Sequence, residues 1–127
     1  ICCAREAAAR GLSNRMVLAC LLHDASECYM SDVPTPFKNE LPEYQEQEEH
    51  LLGIIYEKFF VSDLTEEEQK ELKEIDHAML WYDLEHLLGE IQYGEIPELH
   101  IDLDYTVRPF EEVEEEYLSL FEKFSSI

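Results

Sequence analysis

The chain has 127 residues, which suits one domain, and 46% of them are hydrophobic, which is enough for a core. The 30 acidic residues outnumber the 9 lysines and arginines, so the formal net charge is −21. A chain this acidic repels nucleic-acid backbones and anionic membranes, and we expect neither as a partner. No apolar run approaches the roughly 20 residues of a membrane-spanning helix.

Two helices are predicted at the start of the chain. The first covers Cys2 to Arg10, and Gly11 is well placed to end it. Ser13 can cap the second, which is predicted to run from Asn14 to about Cys28. The apolar residues expected on the inner side of this second helix are Val17, Leu18, Leu21 and Leu22.

The next segment, Asp32 to Lys38, contains two prolines and is predicted not to form regular helix. Pro42 has the character of a first-turn proline and opens a third helix that ends near Phe60. The residues that support this helix are Tyr44, Leu51, Leu52, Ile55 and Phe59.

Thr65 and Glu68 match a capping box, which predicts a long helix to about Leu88, closed by Gly89. A loop from Gly94 to Pro109 then precedes a last amphipathic helix. We expect the core positions of the long helix to be Leu72, Ile75, Met79, Leu80 and Leu87. Those of the last helix, Phe110 to Phe124, are Val113, Tyr117, Leu120, Phe121 and Phe124. The predicted class is all-α.

The four cysteines, Cys2, Cys3, Cys20 and Cys28, contain no CxxC pair and make a poor disulfide framework. We therefore expect buried or half-buried free thiols in a reducing, cytoplasmic setting.

Residues with ionisable side chains are concentrated just after the apolar run that ends at Leu22. His23 and Asp24 are adjacent, and adjacent helical residues differ by roughly 100° in direction, so both can lean towards one point. An imidazole nitrogen and a carboxylate oxygen suit a first-row divalent metal ion, but further ligands must come from elsewhere. Glu27 lies one helical turn on, where it can hold a water molecule or act as its general base.

Asp32 follows on a segment stiffened by Pro34 and Pro36. A simpler interpretation also fits these residues: His23 as a hydrogen-bonded core histidine, Glu27 as a surface charge, and Asp32 as a helix N-cap or turn residue. The residue pattern alone leaves both interpretations open.

The segment His23 to Lys38 resembles the signature of the HD-domain phosphohydrolases, and specifically their 5′-deoxynucleotidase-like branch. The family pattern is His-Asp, then Glu, then Asp-hydrophobe-Pro-x-Pro-x-Lys, and this chain has HDASECYMSDVPTPFK. The resemblance touches most of the chain between Leu12 and Leu88. It implies a single HD-domain helical bundle over residues 1–127.

The resemblance also implies a metal site built from a histidine, the His-Asp pair and a later aspartate. His23 and Asp24 match the pair, and Asp76 matches the later aspartate. No histidine precedes His23, and the chain begins with Ile1. We therefore expect the helix carrying the first histidine to lie upstream of residue 1. The ion is divalent, and manganese, cobalt, magnesium, iron and zinc are not distinguished.

In the family, a metal-activated water attacks phosphorus. By resemblance, Glu27 would orient or deprotonate this water, and Asp32 would protonate or position the leaving oxygen. Lys38 is a candidate phosphate partner, with a structural salt bridge as the alternative. Thr35 can donate to a substrate oxygen or cap a loop.

The predicted function is hydrolysis of a small phosphorylated nucleotide, with a deoxynucleoside 5′-monophosphate as the first substrate class. HD hydrolysis of nucleoside triphosphates, cyclic dinucleotides or alarmones is the enzymatic alternative. A non-catalytic acidic helical module that binds a basic partner is the alternative from another class. The resemblance makes a homodimer a reasonable expectation.

Overall fold

The computed structural model describes residues 1–59 and 61–125. The regular structure of these residues is entirely helical, which confirms the all-α class, and none of the helices is long and apolar enough to cross a membrane. In chain order they are α1 (Cys2–Ala9), α2 (Asn14–Leu22), α3 (Glu27–Met30), α4 (Thr35–Lys38), α5 (Pro42–Lys58), α6 (Glu66–Leu88) and α7 (Phe110–Ser125).

Helix α2 is the centre of the core. It packs against α1 and α7 and also contacts α5 and α6. All residues from Met16 to Leu22 are buried, as expected for a helix that is hydrophobic around its whole circumference. The rings of Phe59 and Phe121 meet edge to face beside it, with their centroids 5.5 Å apart. The four residues predicted for its inner side are therefore confirmed, and the helix is covered on its other sides as well.

Three predicted helix boundaries are confirmed by their capping bonds. The Ser13 side chain accepts a hydrogen bond from the backbone N–H of Met16 at 3.2 Å. Thr65 and Glu68 form the reciprocal capping box, with bonds of 3.0 and 3.2 Å. Gly89 has a φ of 66°, the left-handed conformation that ends α6.

The prediction that α2 continues to about Cys28 is wrong, because the helix ends at Leu22. The imidazole of His23 bonds to the carbonyl oxygen of Cys20 at 2.7 Å, in competition with the backbone. The next backbone bonds, from Ala25 to Leu22 and from Glu27 to Asp24, span three residues instead of four. The resulting tight turns separate α2 from α3.

The prediction for Asp32 to Lys38 is also corrected, since Thr35–Lys38 forms a single helical turn. Pro34 is its N-cap, and Pro36 lies in the first turn. The first N–H groups of a helix have no intrahelical partner, so proline loses no bond there.

Two residues of α6 that were predicted as core are exposed. Ile75 and Met79 are buried as expected, but Leu80 is 51% and Leu87 63% exposed. The buried stripe of α6 runs through Ile75, Ala78 and Met79, and Leu80 lies about 100° away from Met79 around the helix. The five residues predicted to face inward on α7 are all half-buried.

A buried carboxylate that the sequence did not reveal ties the loop before α7 to α1. Glu6 is 0% exposed. It accepts hydrogen bonds from Nε of Arg10 at 3.0 Å and from the backbone N–H of His100 at 2.9 Å. Its Oε1 also lies 2.9 Å from Nδ1 of His100. This cluster fixes α1 against the irregular segment between α6 and α7.

We expect Glu6→Gln to lower the free energy of unfolding by about 2–3 kcal/mol, because it leaves the Arg10 charge without its partner and weakens the bonds to His100. Urea unfolding followed by circular dichroism measures the change. Glu43→Gln, at an exposed position on α5, is the matched control and should stay within about 0.5 kcal/mol of the wild type. Equal midpoints for the two variants would contradict a stabilising role for the Glu6 cluster.

Candidate metal centre

Packing of α2 against α6 brings the three predicted metal ligands together. His23 is the C-cap of α2, Asp24 follows it, and Asp76 lies midway along α6. Nε2 of His23 is 3.2 Å from Oδ2 of Asp24 and 3.2 Å from Oδ1 of Asp76. The side chain of His23 is 15% exposed, whereas those of Asp24 and Asp76 are 62% and 49% exposed. The imidazole is therefore enclosed while both carboxylates reach solvent.

The hydrogen bond at the other ring nitrogen sets the tautomer of His23. Nδ1 lies 2.7 Å from the carbonyl oxygen of Cys20, which can only accept, so Nδ1 carries the hydrogen. In the neutral ring, Nε2 then presents a lone pair towards two carboxylate oxygens. Three acceptors that face one another need a positive partner between them. A proton or a metal ion can fill that role, and a backbone carbonyl on the far ring nitrogen is typical of metal-binding histidines.

In the protein without metal, a proton takes that place. Burial of the ring lowers the pKa of His23, but the hydrogen bonds to Asp24 and Asp76 outweigh it and raise the pKa to about 10. The hydrogen bond from His23 in turn lowers the pKa of Asp24. The metal-free cluster is thus an imidazolium held between two carboxylates.

A further donor was not singled out by sequence analysis. Cys3 of α1 is buried, and its Sγ, a ring nitrogen of His23 and a carboxylate oxygen of Asp76 all lie within 4.8 Å of one another. Burial, followed by the negative charge of Asp76, raises the pKa of the Cys3 thiol to about 12.

The prediction that the cysteines are buried or half-buried free thiols is confirmed for Cys3 and Cys20. It is wrong for Cys2 and Cys28, which are exposed.

The cluster lines an open cleft of about 610 Å³ that is formed by α1, α6, α7 and the segment that leads to α7. Two arginines line this cleft, and both pair with Glu116. Arg5 is 4.0 Å and Arg108 2.6 Å from its carboxylate. The lining also includes Asp83, Asp102, Asp104 and Tyr117.

The predicted catalytic residues Glu27 and Asp32 do not line this cleft, but the charge of Asp24, which lines it, acts on the pKa of Glu27. Burial, followed by the negative charges of Asp24 and Asp32, raises the pKa of Glu27 to about 7. The positive charge of Lys38 opposes this shift. Glu27 is half-buried at the start of α3, and Asp32 is exposed in the turn before α4.

The two predicted substrate-binding residues lie on α4. Nζ of Lys38 is 3.1 Å from Oε1 of Glu48 on α5 and 5.9 Å from the centre of the Tyr44 ring. The salt-bridge alternative for Lys38 is therefore present, and its role towards phosphate stays a prediction. Thr35 is the exposed first residue of α4, and its role as a donor to substrate also stays a prediction.

Comparison with known proteins gives one short match. The chain is 46% identical over 39 residues to the uncharacterized protein YfdR of Escherichia coli strain K12. These residues are 31% of this chain and 22% of YfdR, so the match spans about a fifth of that protein. No protein-family model and no solved structure matches the chain.

The raised pKa of His23 gives a direct prediction. In EDTA, His23 should titrate at about pH 10 rather than at its ordinary 6.5. Because the folded pKa is raised, the stabilisation is complete below about pH 6.5 and is lost as the pH rises through 10. Imidazole NMR shifts measure this titration.

Asp24→Asn and Asp76→Asn should each lower the pKa of His23, because each removes a negative charge that accepts from Nε2. Asp63→Asn, at an exposed position before α6, is the matched control and should leave it unchanged. A wild-type His23 that titrates near 6.5 would show that the two carboxylates do not hold the ring proton.

Proposed function

We propose that this protein is an HD-domain, metal-dependent phosphohydrolase that hydrolyses deoxynucleoside 5′-monophosphates. The observation that supports this most strongly is the convergence of Nε2 of His23 with the carboxylates of Asp24 and Asp76. The resemblance of residues 23–38 to the HD signature supplies the substrate class.

The donor atoms fit a divalent cation. One imidazole nitrogen and two carboxylate oxygens suit a first-row ion, and the bond from His23 to the Cys20 carbonyl holds the ring in the ligating tautomer. When bound, such an ion lowers the pKa of water and polarises a phosphoryl oxygen. His23, Asp24 and Asp76, which line the cleft, would hold it.

A phosphate group needs positive charge in a chain whose net charge is −21. The bound cation would offset the carboxylates at the point where the phosphate binds. Arg5 and Arg108 line the same cleft and place two further positive charges within it. Both arginines pair with Glu116 in the metal-free protein, Arg108 at 2.6 Å and Arg5 at 4.0 Å.

Glu27 is suited to proton transfer because a pKa of about 7 makes both protonation states accessible at neutral pH. In the proposed reaction, the water oxygen bonds to phosphorus while Glu27 takes up a water proton. The bond from phosphorus to the 5′ oxygen breaks, and Asp32 positions or protonates that leaving oxygen. Asp32 is exposed and lies just before α4, whose N-cap is Pro34.

The first test is phosphate release from a panel of deoxynucleoside monophosphates in the presence of manganese or cobalt. Glu27→Gln should lower kcat by about 10²–10⁴-fold, the usual contribution of general acid–base catalysis, with the metal affinity retained. Asp24→Asn and Asp76→Asn should lose both activity and metal binding, measured by titration calorimetry.

Asp63→Asn is the surface control and should leave both quantities unchanged. Absence of phosphate release from this panel with any metal, from folded protein that binds the metal, would refute hydrolysis of deoxynucleoside 5′-monophosphates.

The pKa of Glu27 predicts how kcat/KM depends on pH. If Glu27 is the general base, kcat/KM should rise with pH and level off above about 7. Asp32→Asn removes a negative charge that raises the pKa of Glu27, so the rising limb should move to lower pH even though the rate falls. An unshifted limb in Asp32→Asn would exclude Glu27 as the titrating base.

A further inference from the structure

We propose that Cys3 is a further protein ligand of the same metal site, beside His23, Asp24 and Asp76. This inference rests on the metal site of the proposed function and extends it. It also assigns the class of metal: a first-row ion that accepts a thiolate, namely Fe(II), Co(II) or Zn(II), in preference to Mg(II).

The geometry of the donor atoms supports this assignment. Sγ of Cys3, a ring nitrogen of His23 and a carboxylate oxygen of Asp76 lie within 4.8 Å of one another. Neighbouring ligand atoms bound at about 2.0–2.3 Å to one ion are roughly 3–3.5 Å apart. The three donor atoms therefore lie within about 2 Å of the spacing that they would have around one bound ion.

The fold holds Cys3 in this place. Cys3 lies on α1, which packs against α2 and α6, the helices that carry the other ligands. Glu6, one turn further along α1, is anchored to His100, and this anchors the helix near its start. The proposed ligands thus come from three helices that pack against one another.

The donor types determine the metal class. Thiolate is a soft ligand that favours zinc and iron. Magnesium instead takes oxygen ligands and is bound through carboxylates and water. With Cys3 in the set, the carboxylates of Asp24 and Asp76 are joined by one sulfur and one nitrogen donor. That combination suits ions of intermediate softness.

The test is a Co(II) titration of the EDTA-treated 127-residue chain, followed by absorption spectroscopy. The wild type should show a near-ultraviolet thiolate-to-cobalt charge-transfer band. Cys3→Ser should lack that band and bind Co(II) at least roughly tenfold more weakly, since even outer-shell losses cost 10–100-fold. Cys2→Ser is the matched control, because Cys2 is the exposed neighbour on the same helix, and it should behave as the wild type.

Cys3→His supplies a second variant with a nitrogen donor in the same position. It should bind Co(II) tightly and show cobalt ligand-field bands, with no charge-transfer band from sulfur. The far-ultraviolet circular dichroism of each variant checks that the helices are intact. If Cys3→Ser does not fold, Cys3→His and Cys2→Ser decide the question, because a band that Cys2→Ser keeps and Cys3→His loses comes from Cys3.

The outcomes separate this inference from the hydrolase proposal. Tight Co(II) binding that depends on His23 but gives no charge-transfer band would refute Cys3 ligation and leave the hydrolase intact. A charge-transfer band that depends on Cys3, in a protein that releases no phosphate from deoxynucleoside monophosphates, would support Cys3 ligation and refute the proposed substrate class. A wild type that binds no Co(II) would overturn both.

Discussion

The bond from the His23 imidazole to the Cys20 carbonyl oxygen is the constraint on which the candidate site depends. It accompanies the end of α2 and fixes the tautomer of the ring. It also turns Nε2 towards α6, where Oδ1 of Asp76 lies 3.2 Å from it. Because Met16–Leu22 is buried on all sides, the core holds the end of this helix rigidly. A ligand at such a helix end is positioned by the packing of the whole domain.

The negative charge around His23 favours binding of a cation. The chain has a net charge of −21, yet it concentrates further carboxylates around one enclosed imidazole. Such a cluster is stable only with a proton or a cation at its centre, and exchange of one for the other makes metal binding dependent on pH. The same cation would give an acidic protein a local site for phosphate. The pKa of about 7 lets Glu27 exchange its proton at neutral pH.

Local rules predicted much of the fold. Ser13, Thr65 and Gly89 act at helix ends as expected, because capping depends on a few adjacent residues. The early end of α2 could not be read from apolar spacing, since a side-chain bond to the backbone decides it. The single turn of α4 was missed because proline opposes helix in the interior but not in the first turn.

The site was predicted only in part. Resemblance to the HD signature brought His23, Asp24 and Asp76 into one hypothesis, and the fold brings their side chains together. Cys3 was missed because composition predicts only a buried thiol, and contact with α6 is a property of tertiary packing. Glu6 was missed for a similar reason: its partner His100 is far along the chain. A sequence pattern shows which helix face is apolar, but not which polar residue is buried with it.

The central claim is that a divalent cation binds between His23, Asp24 and Asp76. Anomalous diffraction from crystals grown with Co(II) tests this most directly. The account predicts an anomalous peak at about 2.0–2.2 Å from Nε2 of His23, with both carboxylates turned towards it. A map with no peak there, and with His23 still bonded to the two carboxylates, would contradict the account and identify the cluster as a structural ion pair.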